Sequence, residues 1–502
     1  MSEARGRAAR RTARGRLAVA LAAAATVGAS AGAGGAWAQE GTRRVPPPPP
    51  GAVGARGGAG DADDRADVDA RAAARLTDSV LSGGATAGDD APGDPARADP
   101  RRGATLRVYL MTFGQGDAVW ERFGHNALRI EDTVTGEDVA WNWGMFDFAQ
   151  PNFVTRFLTG DTKYWVEGFD ANALAAHYAR QENRSVWIQE LALTDAQKAA
   201  LQDYVRWNAS ESHRFYRYDY YRDNCSTRVR DAIDRVTGGA LRRALSLRPT
   251  TGTWRSHTRR LVAGDAPTYT GIQLALGRGA DERLTAWEAG FLPVQLMEAV
   301  RTVRVARPSG GVAPLVLNER KVFTATRPAE RAEPPTAWWA FLAAGLLLGA
   351  VLAALGRAAA RGGAGARAAF AGVAGTWTLV TGLAGTALLL AGTVTKHAPY
   401  MGRNLNLLGV SPLALLLGVL VVVAMAARGG SSRARWSARA ARLAWLVAAL
   451  TVLGAVVVSI PGIGQRSLEL FLLLVPMHVA LAWGLSRAAV PAALGALGAR
   501  DA

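Results

Sequence analysis

One cysteine stands in a chain of 502 residues, and its neighbours are polar. Cys225 lies in Tyr221-Arg222-Asp223-Asn224-Cys225-Ser226-Thr227-Arg228, where a loop enters a helix-like stretch. Backbone N–H groups and the helix dipole at such a position favour a thiolate, and Arg222 and Arg228 add positive field. A thiolate is the reactive form for nucleophilic catalysis. The competing reading is a buried structural cysteine. A single cysteine excludes an internal disulfide framework and any cysteine-rich zinc or iron–sulfur site. A metal site mixing Cys225 with histidines lacks ligand spacing, so no cofactor is expected.

A cysteine nucleophile needs a base, and the chain has six histidines. His125, in Arg122-Phe123-Gly124-His125-Asn126-Ala127-Leu128-Arg129, begins a strand after a glycine and is the favoured candidate. His177 reads as structural, and His213 and His257 sit in Arg-rich contexts as solvated groups or hydrogen-bond donors. His478 lies inside an apolar run and is expected to bond a neighbouring helix. A hairpin turning about Gly136 puts residue 147 opposite residue 125, so Asp147 would orient the ring as a third catalytic group. A one-residue slip brings Asn142 there instead; Asp147 ranks first. Backbone N–H groups at Cys225 and Ser226 would hold an oxyanion. Asn224 either joins them or caps the helix.

These residues need a scaffold, and 105–305 reads as an α+β domain. Strands are expected at Ala104 to Phe113, Ala127 to Ile130, Val139 to Trp143, Lys163 to Phe169 and Ser185 to Leu191. The second and third are joined by a turn at Thr133–Asp138. Helices are expected from Thr194 to Trp207 and from Ser226 to Val236, the latter stopped by Gly238-Gly239.

The ends are different in kind. Residues 1–38 read as an export signal, with Arg5, Arg7, Arg10, Arg11, Arg14 and Arg16, an apolar stretch and Ala36-Trp37-Ala38 for cleavage. Losing six Arg and Glu3 takes the formal charge from +17 to +12. Residues 39–104, with Pro46 to Pro50 and few aromatics, read as a disordered linker. A connector spans 306–336. A transmembrane domain spans 337–487, with apolar runs at roughly 337–356, 370–392, 405–427, 443–460 and 468–486, each long enough to cross a bilayer. A tail follows at 488–502. Arg357, Arg361, Arg367, Arg428, Arg433, Arg435, Arg439 and Arg442 cluster on one side of these runs. Positive-inside then puts the C-terminus in the cytoplasm and the α+β domain outside it. Much of the positive charge is thus topogenic, which argues against nucleic-acid binding. His397, Asn404 and Asn406, at a membrane edge, either contact a phospholipid headgroup or cap helix ends. Trp338 and Trp339 read as interfacial anchors.

The segments FGHNALRI, WNWGMFDF, YDYYRDNCSTRVRD and ADERLTAWEAGFLP resemble the Lnb family of bacterial lipoprotein N-acyltransferases. TKHAPYMGRNLNLLGVSPLAL resembles that family's second periplasmic loop and third helix. The resemblance spans about residues 105–490. It implies a permuted papain-like periplasmic domain, a protein of the bacterial inner membrane, Cys225 as nucleophile and His125 as base. It further implies an acyl chain moving from a phospholipid through a thioester to the N-terminus of a lipoprotein. A membrane-tethered cysteine hydrolase (peptidase, amidase or phospholipase) shares the first half-reaction, and a non-catalytic envelope scaffold is the alternative from another class.

Overall fold

The computed structural model describes residues 91–307, 310–427, 430–462 and 464–498. The expected export signal and most of the expected linker lie outside the described residues. A mixed α/β domain is followed by a bundle of apolar helices.

The domain is built on a seven-stranded sheet. Its strands are β1 (Leu106–Phe113), β2 (His125–Asp132), β3 (Asp138–Met145), β4 (Lys163–Asp170), β5 (Val186–Leu191), β6 (Phe215–Arg217) and β7 (Val316–Phe323). Their order is β7-β5-β1-β2-β3-β4-β6, every pair antiparallel. β1 is buried at all but one position, because both faces of the sheet are covered. Alternate side chains separate the two cores. Leu106, Val108 and Leu110 pack with Leu128, Trp143, Leu201, Val229 and Ile233. Met111, Phe113 and Ala127 pack on the opposite face with Leu174 and Tyr178.

The domain helices that matter for the site are α1 (Phe153–Thr159), α2 (Asp195–Asn208), α3 (Cys225–Val236) and α4 (Ala266–Ala275). Thr194 caps α2 in a capping box with Gln197. Asn224 and Thr227 form the equivalent box on α3. Gly238 and Gly239, both at positive φ, follow the end of α3.

Two boundaries differ from expectation. Residues 91–104, assigned to the linker, form two short turns, Pro95–Arg97 and Pro100–Gly103, capped by Asp94 and Asp99. They dock by polar contacts: Arg102 bonds Asp203 at 2.5 Å, and Arg235 donates to the Ala91 carbonyl at 2.5 Å. Such contacts leave no apolar period to read. β7, assigned to the connector, is the edge of the main sheet, paired with β5. Its exposed Asn318, Arg320 and Lys321 are the polar face an edge strand needs, so its pattern resembles a linker.

Five helices among the described residues are long and apolar enough to cross a membrane. They are α5 (Trp338–Ala360), α6 (Ala364–Thr393), α7 (Leu413–Ala426, continuing a short turn from Leu405), α8 (Gly430–Ser459) and α9 (Leu468–Gly498). His478 of α9 bonds Thr451 of α8 at 2.8 Å, as expected for a polar group inside the bundle. Gly349 lets α5 approach α9 closely, since a Cβ there would lie 2.9 Å from the Pro476 carbonyl. Gly349→Val should therefore lower the melting temperature of the purified protein, with overpacking costing about 1–3 kcal/mol. An unchanged thermal transition in detergent would refute this packing.

Candidate active site

Cys225 is the first residue of α3, and the loop before it is tightly tied. Asp219 and Asp223 exchange backbone hydrogen bonds at 3.0 Å. The Asp219 carboxylate accepts from the N–H groups of Tyr221 and Arg222. Asn224 uses its whole side chain on structure. Its Oδ1 accepts from Ser226 and Thr227 N–H, and its Nδ2 donates to the Tyr220 and Phe291 carbonyls. Asn224 is thus the helix cap, not an oxyanion donor. Ser226 is committed too. Its N–H goes to Asn224, and its hydroxyl lies 2.8 Å from Asn126 Oδ1 and 2.7 Å from the Gly290 carbonyl.

His125 opens β2 on the other face of the sheet. Its Nε2 lies 2.9 Å from Oδ1 of Asn142, which is buried on β3. The Asn142 amide donates through Nδ2 to the Ala140 carbonyl, which turns its oxygen to the ring. Nε2 therefore carries the proton, and Nδ1 keeps the lone pair. The backbone N–H of Asn126, the residue directly after His125, pulls the pKa of the thiol down. Gly144, at φ +92°, makes room beside them, since a Cβ there would sit 3.3 Å from the Cys225 Cβ.

Asp147 is not part of this arrangement. Leu128 pairs with Trp141 and Ile130 with Val139, so the register brings Gly144, not residue 147, opposite His125. Asn142 is then the diagonal neighbour on the same face. Asp147 lies beyond the strand, exposed, with Oδ1 capping Ala149 N–H at 2.8 Å. The expected turn centre was placed too late in the chain. A polar residue inside the apolar run Trp141-Asn142-Trp143 was the signal that pointed to Asn142.

The electrostatics also differ from expectation. Arg228 is paired with Asp223, and Arg222 lies over the Trp254 and Tyr400 rings. Burial pushes the Cys225 thiol up to about 11, against the pull of backbone N–H groups and Arg184. Burial also pushes His125 down to about 4, opposed by its bond to Asn142. The resting pair is a neutral thiol and a neutral imidazole. Among the other histidines, His177 bonds Glu182 at 3.0 Å, His213 stacks on Trp207, and His257 accepts from Arg260.

Both groups line a cavity of about 420 Å³. Its wall is mostly apolar and aromatic, including Met145, Phe146, Tyr164 and Tyr218. His397, Tyr400 and Met401, from the segment linking α6 to α7, complete it. His397 bonds the Phe157 carbonyl at 2.9 Å through Nε2. Asn404 and Asn406 are buried. Their amides donate to the Gln273, Leu274 and Ala275 carbonyls at the end of α4, and their oxygens accept from Gln465 and Ser467. Of the two roles expected for this pair, capping a helix end is the one observed. Sequence reasoning missed Arg184, which also lines the cavity.

A sheet-based domain whose cavity is closed by the segment between two apolar helices defines a membrane protein. Residues 101–260 match the family model of the Lnb N-terminal periplasmic domain, and the five apolar helices follow it. Neither curated proteins nor solved structures yield a match to the chain.

The neutral pair makes a prediction. Alkylation of Cys225 by iodoacetamide, read by mass spectrometry, should keep accelerating above pH 9. A plateau at or below neutral pH would show a preformed thiolate instead.

Proposed function

We propose that the chain is a thiol-dependent acyltransferase that takes an acyl chain from a membrane phospholipid and passes it to an amine, the N-terminus of a lipoprotein. The reading rests on one observation: the cavity holding Cys225 and His125 is closed by His397, Tyr400 and Met401 of the membrane part. An aromatic series leads outward, with Tyr218 against Tyr164, Tyr164 against Phe146, Phe146 near Phe153, and Phe153 near Phe157. It ends on α1, whose Val154, Phe157 and Leu158 are more than half exposed. α1 is tied to the end of α6 by Lys396–Asp161 at 2.6 Å and by Lys396 N–H on the Thr159 carbonyl. An exposed apolar helix held at that level suits the lipid interface.

In this mechanism Nδ1 of His125 takes the thiol proton as the sulfur attacks the ester carbonyl carbon. The C–S bond forms, the ester C–O bond breaks, and the imidazolium returns its proton to the leaving lysophospholipid oxygen. An amine then attacks the thioester. The C–N bond forms, the C–S bond breaks, and His125 carries the amine proton to the sulfur. Asn142 stabilises the imidazolium through Nε2–H. Permuted papain-like architecture and a cytoplasmic C-terminus belong to the same proposal; a C-terminal reporter active only in the cytoplasm tests the latter.

Wild-type protein mixed with phospholipid should give an acyl adduct on Cys225 by mass spectrometry, lost in Cys225→Ala. Its absence in folded wild-type protein removes covalent catalysis, and rapid free fatty acid release despite a lipopeptide acceptor favours a hydrolase. Val154→Asp with Leu158→Asp should slow acylation from vesicles roughly ten-fold or more by removing apolar burial. The rate with a soluble short-chain ester should stay unchanged. Equal rates from vesicles would detach α1 from the lipid.

A further inference from the structure

Arg184 is 2 % exposed and precedes β5 on the cavity wall. Its Nε donates to the Gly114 carbonyl at 2.7 Å and its Nη1 to Glu182 at 3.0 Å. The guanidinium lies over the Tyr178 ring at 4.7 Å, so its plane is fixed. The remaining nitrogen, Nη2, is buried and has no hydrogen-bond partner in the protein. Glu182 does not answer it, since that carboxylate is divided between Arg184 Nη1 and His177. A buried guanidinium N–H left unpaired is costly, and most such groups have a partner in the functional state. Its charge reaches both His125 and Cys225.

We propose that Arg184 Nη2 is a phosphodiester subsite that receives the headgroup phosphate of the acyl donor while its ester carbonyl lies at Cys225. This rests on the acyltransferase reading and names the group that orients the donor. In a glycerophospholipid the phosphodiester is a few bonds from the acyl ester, so one molecule spans both points. Arg suits phosphate because its planar fork presents N–H groups at fixed angles and stays charged when buried. Two further cations, Arg217 and Lys396, line the cavity, but Lys396 is paired with Asp161; the apolar and aromatic part of the wall takes the chain. Arg184 is thus a positioning residue for the donor.

The test separates this subsite from the acyl-transfer reading by using lipids that cannot react. Full-length protein in neutral detergent is alkylated at Cys225 in the presence of a dialkyl ether glycerophospholipid, the matching dialkylglycerol, or inorganic phosphate. The ether phospholipid should protect the thiol in the wild type roughly ten-fold better than the dialkylglycerol. Arg184→Gln should erase that difference while dialkylglycerol protection persists, and Arg184→Lys should keep part of it. Persisting dialkylglycerol protection also shows that the variant cavity is folded. Equal protection by both ether lipids in the wild type overturns the subsite, whatever happens with reactive ester lipids. Protection by inorganic phosphate equal to that of the ether phospholipid overturns its assignment to a lipid headgroup. An unchanged preference in Arg184→Gln removes Arg184 from it.

Discussion

One buried amide holds the geometry around Cys225 and His125 together. Asn126 donates through Nδ2 to Met111 and Thr112 of β1, and its Oδ1 meets the Ser226 hydroxyl of α3. Its own N–H lowers the pKa of the Cys225 thiol. A single residue thereby ties two strands to the helix start. It points into the helix-covered face, while its neighbour His125 points to the other. Sulfur and imidazole come from opposite sides of the sheet and line one cavity where the strands end. A satisfied polar network of this kind specifies one arrangement, because any slip leaves buried groups unpaired.

Burial then sets the chemistry. The same packing that fixes the two side chains withdraws them from water, and withdrawal disfavours both ions. The helix start does supply N–H groups to the sulfur, but desolvation outweighs them. In the proposed mechanism the pair stays neutral until an electrophile arrives, and proton transfer accompanies attack. A neutral thiol in an apolar cavity is also a poor target for stray oxidants, since the thiolate is the reactive species.

Much of this was legible in the chain. Five strands, two helices and five apolar runs stand close to where periodicity put them, because they are long and bury one face or one stripe. The glycine before His125 and the polar run around Cys225 marked the two residues that share the cavity. The third was misjudged: strand pairing depends on the width of one turn, and alternation alone does not count turn residues. The edge strand β7 and the turns at 91–104 escaped because they dock through charge and capping. Arg184 was invisible, since what marks it out is a nitrogen left over after tertiary packing.

The contacts at the end of α4 have a geometric consequence. Asn404 and Asn406 hold three carbonyls of that helix, Arg259 grips Glu469 of α9 at 2.7 Å, and the Tyr400 hydroxyl donates to Asp219 in the loop before the sulfur. The sheet domain is therefore bolted to the helix bundle at several points rather than hung from a tether. The thiol sits at a constant height above the ends of the bundle, like a tool on a fixed post. Under the proposed acyl transfer, a molecule anchored at another depth has to rise or sink to reach it, so vertical position alone becomes a filter.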